Sequence, residues 1–308
     1  MRVSSSLLLT CEVLLLCGAG ASIVQTLSGP VQGRVEWAHG KAVEHFKGLP
    51  FAAPPVGANR WRAPQPVAAW SSVRVAEAFG DACGQSKNAM TELFPVAISE
   101  DCLYLNVYRP AGANASSSLP VMLFFHGGSY VLGAASFLPY EATERIGTAP
   151  EKVIIVTANY RLQALGFLGG ELLRSELYPG SPEKTTGNWG FLDQREAMRW
   201  VHRNIARFGG DPRAVTIFGE SAGAGSVSAH LVSEGSWPFF ARVAAESGPT
   251  YSTWVAQSAE NAEKSLASFK ALVGCAGAAN GTANDTLACL RNVPVATAWK
   301  KYGNLSSP

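Results

Sequence analysis

Ser221, in the pentapeptide Gly219-Glu220-Ser221-Ala222-Gly223, is the residue whose setting most directly suggests chemistry. The segment follows the apolar run Val215 to Phe218 and precedes a small-residue stretch ending in His230-Leu231-Val232. A G-x-S-x-G sequence between a strand and a helix is a nucleophile elbow, in which a strained serine backbone lifts the hydroxyl clear of the sheet. Glycines two residues to either side leave no Cβ in the way of the turn or of the helix packing on the strand. The chemistry open to such a serine is attack on an acyl carbonyl, once a base has taken its proton.

The base is the difficulty. Chains with this elbow supply the triad in the order Ser, Asp or Glu, His, and the sole histidine after Ser221 is His230. Nine residues place it roughly 13 Å along the helix, beyond hydrogen-bond reach. His39, His45, His126 and His202 all precede the nucleophile. The sequence therefore predicts half of an active site, with the acid and the histidine beyond Pro308 and the C-terminal part of the fold absent.

A chain of 308 residues with 47% hydrophobic and 16% charged residues can bury a sizeable core. Its net charge of +2 comes without any run of Lys or Arg, which disfavours nucleic acid and anionic lipid as partners. No cysteine pair has C-x-x-C spacing and no histidine lies near a cysteine, so neither a metal site nor a cofactor is expected.

Residues 1–21 stand apart. Arg2, the apolar stretch Leu7 to Leu16 and Ala19-Gly20-Ala21 make the pattern of a secretory signal peptide. A membrane span, which needs about 20 apolar residues, and a buried helix are the rival readings, and Glu12 interrupts the run for all three. No later segment is long and apolar enough to span a bilayer. Secretion leaves Cys83, Cys102, Cys275 and Cys289 in an oxidising compartment. Four cysteines allow three pairings, buried free thiols being the alternative; proximity favours Cys83 with Cys102 and Cys275 with Cys289, each loop worth about 3 kcal/mol. N-x-[ST] acceptors at Asn114, Asn280, Asn284 and Asn304 fall in stretches that read as surface loops.

The elements that must position Ser221 follow from periodicity. Ile23 to Phe46 reads as short strands with turns at Gly29-Pro30 and His39-Gly40, and the proline-dense stretch 48–66 as irregular. Leu103 to Tyr108 reads as a strand. Val121 to Phe125 and Val153 to Thr157 are continuous apolar runs of the kind buried on both faces in a mostly parallel sheet, with helices between them. Ala197, Val201, Ile205 and Phe208 recur at helical spacing up to the stop at Gly209-Gly210, Ala259 to Val273 forms a further helix, and a short one lies near Cys289. This alternation predicts one α/β layer structure over residues 22–308.

Several segments together resemble the type-B carboxylesterase and cholinesterase-like family, in order along the chain. They are 46–52 with Pro54-Pro55-Val56-Gly57, 100–107, His126-Gly127-Gly128, Asn159-Tyr160-Arg161, Gly187-Asn188 through Asp193-Gln194, 208–212 and 215–223. The resemblance implies an α/β-hydrolase fold and a serine esterase acting on a small-molecule carboxylic ester. It implies an oxyanion hole from the backbone N–H groups of Gly128, Ser129 and Ala222, with Ser129 departing from the family's glycine and narrowing the hole. It assigns His126 to shaping that loop, Glu220 and Ser247 to supporting the triad, and Trp254 to the acyl pocket. The family's first two disulfide loops correspond to the pairing favoured above. Cholinesterases carry a tryptophan within the first loop, where it holds a quaternary ammonium; none lies between Cys83 and Cys102, so neutral esters are expected. The other reading is a non-catalytic, cholinesterase-like adhesion protein. Loss of later strands would leave an unpaired sheet edge and poor solubility.

Overall fold

The computed structural model of the protein describes residues 21–87, 89–174, 186–248, 258–276 and 282–302. The signal-peptide pattern, Trp254, Asn280 and Asn304 therefore lie outside the described residues, Ala21 excepted.

Among the described residues seven strands form the central sheet: β1 (Arg34–Ala38), β2 (Lys41–Pro50), β3 (Tyr104–Pro110), β4 (Leu119–Phe125), β5 (Ile154–Ala158), β6 (Gly210–Glu220) and β7 (Arg242–Glu246). Their order across the sheet is β7-β6-β4-β5-β3-β2-β1. Pairings among β7, β6, β4 and β5 are parallel, and those joining β5, β3, β2 and β1 are antiparallel. The sheet is thus evenly mixed, not mostly parallel as the apolar runs suggested. Local chemistry explains the antiparallel side: β1 and β2 are joined by His39 (φ 50°) and Gly40 (φ 74°), a two-residue turn with both residues left-handed, which returns the chain beside itself.

The continuous apolar runs are real strands because both faces are covered. Ile154 and Val156 of β5 pack in the main core with Leu123, Val215 and Ile217, while Ile155 faces the other way, against Ile146 and Tyr108. Helix α1 (Trp189–Asn204) covers the first face through Ala197, Met198 and Val201, followed by a 3-10 turn over Ile205–Phe208. Gly209 ends it with φ 93°, the left-handed stop that its sequence predicts. Helix α2 (Ala222–Leu231) follows β6 directly.

A second core gathers Trp61, Leu165, Trp189, Leu266, Phe269, Leu287 and Leu290 under α3 (Ala259–Leu272) and α4 (Ala283–Asn292). The cysteines pair as proximity favoured, Cys83 with Cys102 and Cys275 with Cys289. Arg60 ties this core to the first disulfide loop. Its guanidinium grips Glu100 at 2.5 and 2.8 Å and donates to the carbonyls of Arg291 (3.1 Å) and Val293 (2.8 Å) at the end of α4. Removing one member of a buried ion pair strands the other, so Arg60→Met is expected to destabilise the chain by about 3–5 kcal/mol in urea denaturation. A loss below about 1 kcal/mol would mean that the pair behaves as a surface contact.

Asn114 is exposed on a turn, in line with its reading as a loop sequon. Asn284 is exposed too, but it sits in the first turn of α4 and not in a loop. Thr282 caps that helix with Asp285 in a reciprocal capping box. Among the described residues no helix is long and apolar enough to cross a membrane.

Candidate active site

The strand order places β4 between β5 and β6, so the chain leaves β4 to one side and returns on the other. Such a switch point opens a crevice beyond the carboxyl ends of the strands. Phe125 of β4 stands in register with Gly219 of β6. The residues that follow each strand, 126–133 and 220–223, therefore face one another.

Ser221 sits at that point with φ 56° and ψ −117°, a conformation that a residue with a Cβ adopts only when its surroundings enforce it. They do so through main-chain bonds. Ser221 N–H donates to the carbonyl of Glu246 at 2.9 Å, and Gly225 N–H donates to the Ser221 carbonyl at 3.0 Å. The flanking glycines meet an obstruction that the motif alone does not name. A Cβ on Gly223 would lie 2.0 Å from the Phe125 carbonyl oxygen, and one on Gly219 would lie 2.5 Å from the carbonyl carbon of Gly223. Strand β4 and helix α2 touch backbone to backbone.

The facing loop is wound just as tightly. Gly128 (φ 107°), Ser129 (φ 54°) and Tyr130 (φ 60°) are successive left-handed residues, and the turn is closed by Val131 and Leu132 N–H donating to the Gly128 carbonyl at 2.9 and 3.0 Å. The amides of Gly128, Ser129 and Ala222 meet no acceptor among the described residues. A Cβ on Gly127 would stand 3.2 Å from Ser221 Cβ and 2.9 Å from Glu220 Oε2, which places both side chains directly against the loop. Ser129 is exposed. Two residues outside the sequence expectations hold the loop. Gln163, itself left-handed at φ 53°, donates from N to Tyr130 O (2.9 Å) and from Nε2 to Val131 O (2.8 Å). Gln85 exchanges two hydrogen bonds with the Gly133 backbone. Neither glutamine carries a motif; only the fold brings them there.

A model of the carboxylesterase family matches residues 20–305. The chain belongs to that family. It is 36% identical over 281 residues to a cholinesterase of Mus musculus, covering 88% of this chain and 43% of that protein. It is 38% identical over 282 residues to carboxylesterase 1C of Mus musculus, covering 87% and 47%, and 42% identical over 238 residues to liver carboxylesterase 1 of Oryctolagus cuniculus, covering 73% and 40%. The chain thus spans less than half the length of these curated relatives. An α/β-hydrolase fold follows from the family, and the strand–elbow–helix unit is built accordingly.

In this carboxylesterase-family chain none of the five histidines hydrogen-bonds with Ser221. His39 is exposed beside Glu144, His45 pairs with Glu36, and His202 lies edge-on to Phe239. His126 is buried in the loop itself, with Nδ1 2.9 Å from the Gly127 carbonyl and its ring stacked on Tyr160 at 4.4 Å. Tyr160 in turn donates to the His126 carbonyl at 2.7 Å. His230 is buried behind α2, between Ser236 Oγ (2.9 Å) and Gln194 Oε1 (3.0 Å). Ser247, with φ 53°, precedes Gly248, where a Cβ would lie 2.8 Å from the Ser221 carbonyl oxygen. Residue 247 thus abuts the elbow. Among the described residues no cluster of His, Cys, Asp or Glu could hold a metal ion.

Burial lowers the pKa of all three interior histidines, His45, His126 and His230, and holds the last two neutral most firmly, His126 down at about 4 and His230 at about 3 against an ordinary 6.5. The unfolded chain therefore takes up two protons that the folded chain refuses as pH falls from about 6.5 to 4. Their stabilisation is whole above pH 6.5 and drains below it, at a slope approaching about 3 kcal/mol per pH unit near pH 5. Urea midpoints at pH 7, 6 and 5 should fall in step, and His230→Gln should reduce the slope by about half. A flat profile between pH 7 and 5 would show that neither ring is buried neutral.

Proposed function

We propose that this chain carries the nucleophile and oxyanion-hole half of a secreted serine hydrolase that cleaves small neutral carboxylic esters through an acyl-enzyme. Ser221 Oγ attacks the carbonyl carbon as its proton passes to a base. The tetrahedral oxyanion collapses, the ester C–O bond breaks, and the alcohol leaves with that proton. Water then attacks the acyl carbon and releases the acid and Ser221. The amides of Gly128, Ser129 and Ala222 donate to the oxyanion, each such donor being worth about 3–4 kcal/mol.

What supports this reading is the left-handed Ser221 packed against Gly127 of the facing loop, beside the amides of Gly128, Ser129 and Ala222 that meet no acceptor among the described residues. Glu220, against the loop, sets negative charge where an imidazolium would develop. Ser247 supports the hydrogen bonding of the triad, and Trp254 lines the acyl side. We place the base outside the five histidines of these residues, none of which hydrogen-bonds with Ser221. Neutral substrates are favoured because the loop between Cys83 and Cys102 lacks a tryptophan that could hold a quaternary ammonium. Secretion is supported by the pattern in residues 1–21 and by two disulfides, which persist in oxidising compartments.

The test is covalent labelling. With excess imidazole supplied as a diffusible base, a fluorophosphonate should add once to the wild type, on the peptide containing Ser221, and not at all to Ser221→Ala. An adduct that survives the substitution, or a wild type that takes none after prolonged exposure, overturns the assignment.

A further inference from the structure

On the inner side of α2, six polar side chains, two of them from the helix itself, form one hydrogen-bonded run. Arg195 Nε donates to Ser236 Oγ (3.0 Å), and its Nη2 donates to Ser233 Oγ (2.6 Å). Ser236 Oγ lies 2.9 Å from His230 Nδ1, His230 Nε2 lies 3.0 Å from Gln194 Oε1, and Gln194 Nε2 lies 2.9 Å from Ser226 Oγ. Ser226 Oγ donates to the Ala222 carbonyl at 2.9 Å and stands 3.5 Å from Tyr130 Oη. Phe125 and Phe191 flank the imidazole at 6.0 and 6.2 Å.

The inventory of donors gives this chain one direction. A serine hydroxyl has one proton, and that of Ser226 goes to the Ala222 carbonyl. Gln194 must then turn its NH2 toward Ser226 and its oxygen toward His230. An amide oxygen only accepts, so His230 carries its proton on Nε2. Its Nδ1 is left to accept from Ser236, whose lone pairs receive the Arg195 N–H. Every bond points the same way, from the guanidinium to the carbonyl in the first turn of α2. Ser226 thereby touches both walls of the site, since Ala222 follows the nucleophile and Tyr130 follows Ser129 in the facing loop.

We infer that Gln194 and His230 are positioning residues, which act through Ser226 to fix the first turn of α2 and the loop residue Tyr130 and so aim the Ala222 amide across the site. The inference rests on the reading of Ser221 as nucleophile and Ala222 as oxyanion donor. A buried polar network gives little stability that a packed apolar core would not; what this one supplies is a fixed orientation. Displacements of about 1 Å at a reacting centre cost up to about a hundredfold in rate, so a loosened turn should act on rate and leave affinity alone.

The experiment has two arms on the full chain. Long-range 1H–15N spectra of the imidazoles should show His230 protonated on Nε2 and silent to titration between pH 5 and 8. A proton on Nδ1, or titration near 6.5, overturns the directed chain. The second arm measures phosphonylation of Ser221 by an aryl fluorophosphonate in the presence of excess imidazole as a diffusible base, separating the limiting rate from the probe's affinity. Gln194→Glu keeps the acceptor for His230 but deletes the donor to Ser226 and competes for its proton. The limiting rate should fall about tenfold with affinity unchanged. Ser226→Ala, which keeps the core volume nearly intact, should fall likewise and serves if the first variant does not fold. Equal limiting rates in wild type and a folded variant overturn the positioning role alone. A wild type that takes no probe at Ser221 removes the nucleophile reading itself, and the positioning role with it.

Discussion

Residues 22–308 are expected to raise the hydrolysis of p-nitrophenyl acetate no more than about elevenfold over buffer. Loss of the histidine from a serine triad costs about a millionfold in turnover, and the oxyanion hole with binding retains about 10³–10⁴ over water. At about 1 µM protein and 1 mM ester, that advantage on a thousandth of the substrate raises the background only about two- to elevenfold, against the far larger turnover of a complete triad. The structure accounts for each histidine that might have rescued the rate. His230 is buried and committed to Ser236 and Gln194. His126 is buried beneath its own loop with its ring against Tyr160, and both are held neutral well below the pH at which a base is useful. The measurement is initial velocity against protein concentration, with Ser221→Ala as the baseline. Robust turnover that disappears in Ser221→Ala would mean that a base within these residues serves the nucleophile.

Gly223→Ala should lose more than about 4 kcal/mol of stability and fail to yield a labelled serine. Overpacking a core usually costs about 1–3 kcal/mol because side chains can shift. Here the new methyl would meet the Phe125 carbonyl oxygen at 2.0 Å and the His126 carbonyl oxygen at 3.2 Å. Those atoms belong to the end of the central strand β4, whose neighbours β5 and β6 hold it in register on both sides. Retreat would break either the sheet or the turn that presents Ser221. Thermal unfolding of the variant, read with fluorophosphonate labelling, checks both consequences. A variant that keeps the wild-type melting temperature would show that α2 and β4 are not in backbone contact.

How much of this was legible beforehand depended on range along the chain. The strand–turn–helix around Ser221 and the stop at Gly209 each involve residues within a few positions of one another, so spacing and residue type suffice. The pairing of the four cysteines also came from proximity, through two short loops. The antiparallel side of the sheet was less visible, because a strand buried on both faces shows the same continuous apolar run whichever way its neighbours point.

By itself, then, the sequence determined that a serine would stand on a strained elbow and that His230, nine residues on along the following helix, is out of its reach. Tertiary structure alone decided what that elbow leans on. Gln85 and Gln163 reach the loop at 128–133 from 48 and 32 residues away, and Gln194 reaches Ser226 and His230 across 32 and 36. Hydrogen bonds of that span leave no mark on local periodicity, since a glutamine that clamps a backbone and one that faces water are the same letter until the chain has folded.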